Sequence, residues 1–225
     1  MSASKTNSWD PVWEKVFSEN PWGKYPGESL IRFVARNFYN SHRPDVKLLE
    51  VGCGPGANIW SMAKERFSAY GIDGSVTAID QAKKRLSDEN LSAELSVGDI
   101  IYLPYPDDFF EAVIDSECIY ANNLQNSHKI LDEVKRVLKP GGLFYSRSLS
   151  DKVYLGREST KVGEKEFTNI SDGPLAGRGF ARLMDINEIE TIYGSKFEII
   201  SIDELEITQN NREQRIREFI IICRK

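Results

Sequence analysis

The stretch KLLEVGCGPGANIWSMA, Lys47 to Ala63, decides the fold. A short apolar run ends near an acid, Glu50. A glycine-rich turn follows, and the apolar positions then take a helical spacing. Strand, tight turn and helix in that order make the first unit of a parallel α/β sheet. Gly52, Gly54 and Gly56 let backbone approach a ligand where a side chain would collide. The helix from Ala57 aims its N-terminus at the same spot. Such a turn grips a nucleotide-like ligand in more than one kind of protein. Gly52-x-Gly54-x-x-Ala57 also satisfies the dinucleotide fingerprint in its alanine form, which is weak support by itself.

Working outward, residues 28–40 read as a helix, because Leu30, Ile31, Val34, Ala35 and Phe38 fall on one face. Strands are expected at 46–51, 70–73, 93–97, 110–115 and 143–148. Helices fill the gaps: 57–69, then one capped by Ser75 and running to about Leu86, then one capped by Asn126 or Ser127. The last of these is stopped by KPGG, residues 139–142, since proline cannot continue a helix and glycine allows the turn. Strands alternating with helices imply a doubly wound, mostly parallel sheet. The rhythm then changes. After a short helix at 186–193 come two strand-like segments, 197–208 and 216–224, joined by a turn at NNRE (210–213); so close a connection makes them antiparallel.

A single domain over 1–225 is expected, in four parts: an N-terminal helical cap (1–45), a cofactor-binding core (46–149), a substrate loop or lid (150–183), and a C-terminal helix with an antiparallel strand pair (184–225). The region 150–182 holds six glycines or prolines and many charges. An ordered loop of that length is unusual unless it serves as a lid or binding segment.

With 225 residues and a net charge of -5, the chain argues against a nucleic-acid partner. No apolar run approaches a membrane span, and MSASKTNSWDPVW lacks the apolar core of a signal peptide. Cys53, Cys118 and Cys223 are odd in number and far apart, with neither metal-ligand spacing nor a disulfide framework. The expectation is a cytoplasmic protein with no metal and no membrane partner; the oligomeric state is not readable.

The surroundings of the turn choose among ligands. Glu50 would repel a pyrophosphate and attract a cationic amino group or sulfonium. Pro55 removes a backbone donor where a phosphate cradle needs one. Asp73 ends the second strand, where an acid can accept both ribose hydroxyls. Asp99, in VGD, can accept from an exocyclic adenine amine.

LLEVGCGPG, GIDGS (71–75), VGDI (97–100) and RVLKPGG (136–142) together resemble the class I S-adenosylmethionine-dependent methyltransferases, in order and spacing across about Lys47 to Ser148. The resemblance implies a seven-stranded Rossmann-like sheet with an antiparallel last strand, and S-adenosyl-L-methionine as cofactor. It implies cofactor contacts from Glu50, Gly52, Cys53, Gly54, Asp73, Asp99 and Ile100. The glycine turn and Glu50 would face the methionine end, Asp73 the ribose, and Asp99 with Ile100 the adenine. Gly74, Ser75, Ser116 and Tyr25 complete the expected cofactor set.

The catalytic candidates follow the fourth strand. Two readings stand for Glu117: a general base whose burial raises its pKa, or an orienting group. Tyr120 either lines the methyl path or packs. His128, at the start of a helix, is a candidate for which a capping or surface role is the commoner outcome. Trp22 and Tyr25 either face a sulfonium through a cation–π attraction or plug an apolar rim. Arg178 and Arg182, with Lys161 and Lys165, either bind an anionic substrate or form a solvated face. A fainter resemblance, in ECIYAN and the C-terminal NNRxxxIREFII, is to methyltransferases encoded with surface-polysaccharide genes, and implies a small-molecule or glycan-precursor substrate. Two rivals remain: a non-catalytic cofactor-binding relative acting as a partner subunit, and a nicotinamide-dependent oxidoreductase. RNA or protein methylation is disfavoured, because no Asn/Asp-Pro-Pro-Tyr signature follows the fourth strand.

Overall fold

The structure, a computed structural model, describes residues 7–225. The first six residues of the expected N-terminal cap lie outside them. The cap itself holds two helices, α1 (Val12–Glu19) and α2 (Glu28–Phe38). The core then alternates: β1 (Lys47–Val51), α3 (Ala57–Lys64), β2 (Ser68–Asp73), α4 (Val76–Ser87), β3 (Glu94–Val97), β4 (Phe110–Ser116), α5 (Leu124–Val137) and β5 (Leu138–Leu149). Three short strands follow, β6 (Thr160–Gly163), β7 (Glu166–Thr168) and β8 (Ala181–Arg182). The chain closes with α6 (Ile186–Gly194) and the pair β9 (Glu198–Gln209) and β10 (Gln214–Arg224).

Seven strands form one sheet in the order β3-β2-β1-β4-β5-β10-β9. The pairs among β1 to β5 are parallel, and β10 runs antiparallel to both β5 and β9. Both faces of the central strands are buried, as a helix-covered parallel sheet requires. Leu49, Val51, Val113 and Phe144 point to the side where Ile130, Leu131 and Val134 of α5 pack. Leu48, Ala112, Ile114 and Tyr145 point to the other side, against Phe33 of α2 and Ile59 of α3.

The strand order reverses between β1 and β4. In an open parallel sheet the crevice at such a switch point, beyond the carboxyl ends of the strands, is where ligands bind.

Several local expectations are corrected. α3 stops at Lys64 rather than reaching residue 69, because Arg66 takes a left-handed conformation (φ 68°) and the chain enters β2 at once. α5 begins three residues earlier than expected. Its cap is Asn123, whose side chain accepts from the Asn126 N–H, so Asn126 and Ser127 lie inside the helix. KPGG does follow the helix, but it bulges out of β5: Leu138 pairs with Phe110 and Leu143 with Ala112. The 150–182 region is no plain loop. β6, β7 and β8 make a small antiparallel sheet, covering a satellite core of Tyr120, Leu149, Val153, Ile170 and Leu175.

α1 was not expected from the aromatic N-terminal stretch. It is tied to the start of α4, where the Ser75 hydroxyl donates to Glu14 at 2.5 Å and the Thr77 hydroxyl donates to the same carboxylate. The cap at Asn123 gives a direct check: Asn123→Ala should cost about 1 kcal/mol by denaturant titration, and Ser127→Ala should not reproduce it through helix capping.

Candidate active site

The glycine turn is held from within. The Gly52 and Cys53 N–H groups both donate to the Ile72 carbonyl, at 2.8 and 3.1 Å. The Gly54 N–H donates to Asp73 at 2.8 Å, Pro55 has none, and Gly56 donates to the Cys53 carbonyl. A pyrophosphate cradle needs such donors free; here they are consumed. Gly52 (φ 67°) is required twice over, since a Cβ there would also lie 2.1 Å from the Cys118 sulfur.

Three carboxylates sit at the strand ends around this turn. Glu50 is 2% exposed. One of its oxygens accepts from Asn58 and the other has no hydrogen-bond partner among the described residues. Burial pushes its carboxyl well up, the Asn58 bond opposes this, and the charges of Asp73 and Asp115 add to the rise. Asp73 is also raised by burial, against bonds from the Ser75 and Gly54 N–H groups. Asp115, fully buried, is pushed up to about 6 by the same cause, although the Ser146 hydroxyl and the Cys118 and Ile119 N–H groups all donate to it. It fixes the turn that carries the next residues into the cleft.

The cleft has a cavity of about 250 Å³. Of the expected cofactor residues, Tyr25, Glu50, Gly52, Cys53, Gly54, Asp73, Gly74, Ile100 and Ser116 line it; Ser75 and Asp99 do not. Ser75 is fully buried as the cap of α4. Asp99 is engaged by the N-terminal segment: the Ser8 N–H donates to it at 2.7 Å and the Ser8 hydroxyl to its other oxygen.

The cleft is also lined by Glu117, Tyr120, Asn122, Arg147 and Arg178. Tyr120 is almost fully buried, which pushes its phenol up, while the Arg178 charge acts in the opposite sense. Asn122 keeps a buried side-chain oxygen without a partner among the described residues. His128 lies along α5 and does not line the cleft. Nor does Arg182, which is 3% exposed and donates to the Ser127 hydroxyl. Lys165 is taken by Asp185 and Glu188, and Lys161 is exposed. Of the four expected basic residues, Arg178 is the one in the cleft.

The sequence reading missed the roof. Trp9, Trp13 and Phe17 join Trp22 and Tyr25 over the cavity, with Trp13–Phe17 and Phe17–Trp22 ring contacts at 5.6 and 5.2 Å. Trp9 lies against Gly74, where a Cβ would come within 2.0 Å of its ring. Their spacing of four was a helical signal in plain view. Arg147 and Asn58 were also missed. Arg147, a charge inside an apolar strand, was the more visible of the two.

Residues 48–142 match the family described as "Methyltransferase domain". The match takes in β1 to the start of β5, the part of the sheet that forms the switch-point cleft. It is 29% identical over 82% of its length to the sterol 24-C-methyltransferase ERG6B of Gibberella zeae, covering 49% of that protein. It is 26% identical over 87% of its length to the tRNA N(3)-methylcytidine methyltransferase trm140 of Schizosaccharomyces pombe, covering 68% of it. The crystal structure of a SAM-dependent methyltransferase from Methanosarcina mazei shares its fold, with a TM-score of 0.71 at 22% identity over 89% of this chain and 98% of that one. The chain spans about half the length of the sterol methyltransferases it matches. No helix among the described residues is long and apolar enough to cross a membrane.

The family's cofactor is S-adenosylmethionine, and the residues present fit it. A buried carboxylate oxygen without a partner, among further acids, suits a ligand carrying an ammonium and a sulfonium. Glu50→Gln keeps the Asn58 contact and removes the buried charge. It should therefore raise the melting temperature of the ligand-free protein at neutral pH, while weakening S-adenosylmethionine roughly tenfold or more by calorimetry. The pH trend has a definite sign. Acids raised in the folded state contribute stability below the ordinary carboxylate range and lose it as pH rises through their folded values. The ligand-free protein should thus melt higher at about pH 5 than at about pH 8, and Glu50→Gln should flatten that slope.

Proposed function

We propose that this chain transfers the methyl group of S-adenosylmethionine to a small molecule or glycan precursor that carries an anionic group. The observation that supports this most is Glu50: buried, half-partnered, and beside a turn whose backbone donors are already spent. That arrangement disfavours a nicotinamide dinucleotide.

In this reading Glu50 and the glycine turn hold the methionine end, and Asp73 takes the ribose. Ile100 and Gly98 line the adenine end, with Asp99 available once Ser8 yields it. The aromatic roof of Trp9, Trp13, Phe17, Trp22 and Tyr25 excludes water and offers ring faces to a cation. The bound cofactor supplies an electrophilic methyl and a neutral leaving group, so alignment and desolvation carry most of the catalysis.

The acceptor enters past the small β6–β7–β8 sheet, which serves as the substrate lid proposed for 150–183. Arg178, half-buried at the mouth with Trp22 in cation–π range at 5.8 Å, is the group that receives an acceptor's anion. Glu117 is the proton acceptor where the attacking atom must lose a proton. The net charge of -5 favours small acceptors over a polyanionic RNA.

Calorimetry with S-adenosylmethionine, S-adenosylhomocysteine and NAD separates the classes. Micromolar binding of the first two and none of the third is expected; NAD binding would overturn the reading. Labelled-methyl transfer is then scored against sugar nucleotides, aromatic and aliphatic carboxylates, a neutral sterol and tRNA. Arg178→Ala should leave cofactor affinity unchanged and lower kcat/KM on an anionic acceptor at least tenfold, as expected for one charged hydrogen bond. Equal activity would remove the anion assignment.

A further inference from the structure

Arg147, near the end of β5, holds two carboxylates at once. Its Nε and Nη2 donate to one oxygen of Glu218 at 2.7 and 2.6 Å, and Nη2 reaches Glu117 at 3.2 Å. Glu218 comes from β10, is 3% exposed, and does not line the cleft. Arg147 and Glu117 do. The cluster therefore spans the sheet from a buried acid to the cavity wall.

Glu117 is held there against its backbone preference. Its φ is 60°, in the left-handed region that favours glycine, and its N–H donates to the Arg147 carbonyl at 2.9 Å. A turn that needed only that backbone bond would be better served by glycine. Strain of this kind persists where the side chain has work to do.

We propose that Glu218 is a positioning residue for Glu117: acting through Arg147, it sets how firmly Glu117 is held and so whether Glu117 is free to take a proton from the acceptor. This rests on the methyltransferase reading above. With Glu218 ionised, its two closer contacts engage the guanidinium and leave Glu117 only the longer one, at 3.2 Å. With Glu218 protonated, Arg147 is released to hold Glu117 as a carboxylate. Burial and the Glu117 charge push the Glu218 carboxyl up to about 7, against the pull of Arg147, so the two forms interchange near neutrality. During transfer the acceptor's X–H bond breaks. Its proton goes to a Glu117 oxygen and then to water, and its electron pair forms the bond to the methyl carbon as the methyl–sulfur pair returns to sulfur.

The other charged groups around the pair are few. Asp115 and Tyr120 adjoin Glu117. On the Glu218 side, Tyr145 of β5 donates to or accepts from Ser29, and Asp203 of β9 stands opposite Ile220. Glu28 and Arg32 of α2 pair with each other at the surface.

The test needs no acceptor. Full-length protein labelled with carboxyl-¹³C glutamate is titrated by NMR, with Glu117→Gln and Glu218→Gln assigning the two resonances. In the wild type the Glu218 resonance should move in a step near neutrality, and the Glu117 resonance should shift with it as Arg147 changes its grip. In Glu218→Gln that movement of the Glu117 resonance near neutrality should vanish. A Glu117 curve identical in wild type and Glu218→Gln would overturn the proposal. Glu117→Gly is the second variant: relief of the left-handed strain should raise the melting temperature, and a fall would mean that Glu117 is there for structure. Loss of the methyltransferase reading has a different signature, namely no S-adenosylmethionine binding by calorimetry with the coupled titration intact.

Discussion

A carboxylate removed from water with no cation beside it is costly, and Glu50 is such a group. The sheet puts it at the end of β1, at the point where the strand order reverses, and Asp73 and Asp115 follow on the two neighbouring strands. Each of those is bound up in local geometry. Asp73 ties the glycine turn to the start of α4, and Asp115 ties the turn after β4 to β5. Glu50 alone keeps an open oxygen. The acids that shape the loops and the acid with the open oxygen are thus neighbours, and the charges of Asp73 and Asp115 both raise the affinity of Glu50 for a proton. The site is a concentrated negative charge built into the best-packed part of the molecule. That explains why a cationic ligand belongs there and why the ligand-free protein carries the site at a cost in stability.

The two parts of the cleft differ in how they are made. The Glu50 part rests on β1, β2 and β4, whose registers are fixed by buried side chains on both faces. The other part is assembled from distant pieces: the turn after β4, a cation from β5 backed by an acid from β10, and β8, which meets the turn at Tyr120. The fold is shared with proteins of low sequence identity. The second part is where chains of one fold can diverge without disturbing the first.

The legibility of the sequence follows the same division. β1, the turn and α3 were readable because each is local: an apolar run, glycines, then a helical spacing. The antiparallel pair was readable from two strand patterns around a tight turn. The start of α5 was misplaced because Asn123, Asn126 and Ser127 are all capping residues, and the choice among them depends on tertiary packing, which buries Asn126 and Ser127 inside the helix. The small sheet over 150–182 escaped because its strands are two to four residues long, too short for a period to register. Arg147 and Glu218 escaped for another reason. They are 71 positions apart, and a charged residue in a strand reads as a solvent-facing one until its partner is found. Arg182 and Ser75 lie outside the cleft lining: one donates to the Ser127 hydroxyl, and the other caps α4.

The outer strand β9 has a consequence of a different kind. An open sheet offers unpaired backbone at both ends, an invitation to strand-by-strand association with other chains. At one end β3 is four residues long. At the other, β9 is twelve residues long and mostly exposed, and it carries Glu198, Asp203, Glu204 and Glu206. Arginines of β10 pair with three of them, Arg217 with Glu204 at 2.5 Å, Arg224 with Glu198 at 3.0 Å and Arg215 with Glu206 at 3.4 Å, so the margin is charged along its length. Charged side chains on an edge strand oppose pairing with the strand of another chain. The hairpin that completes the sheet thereby also keeps it from being extended.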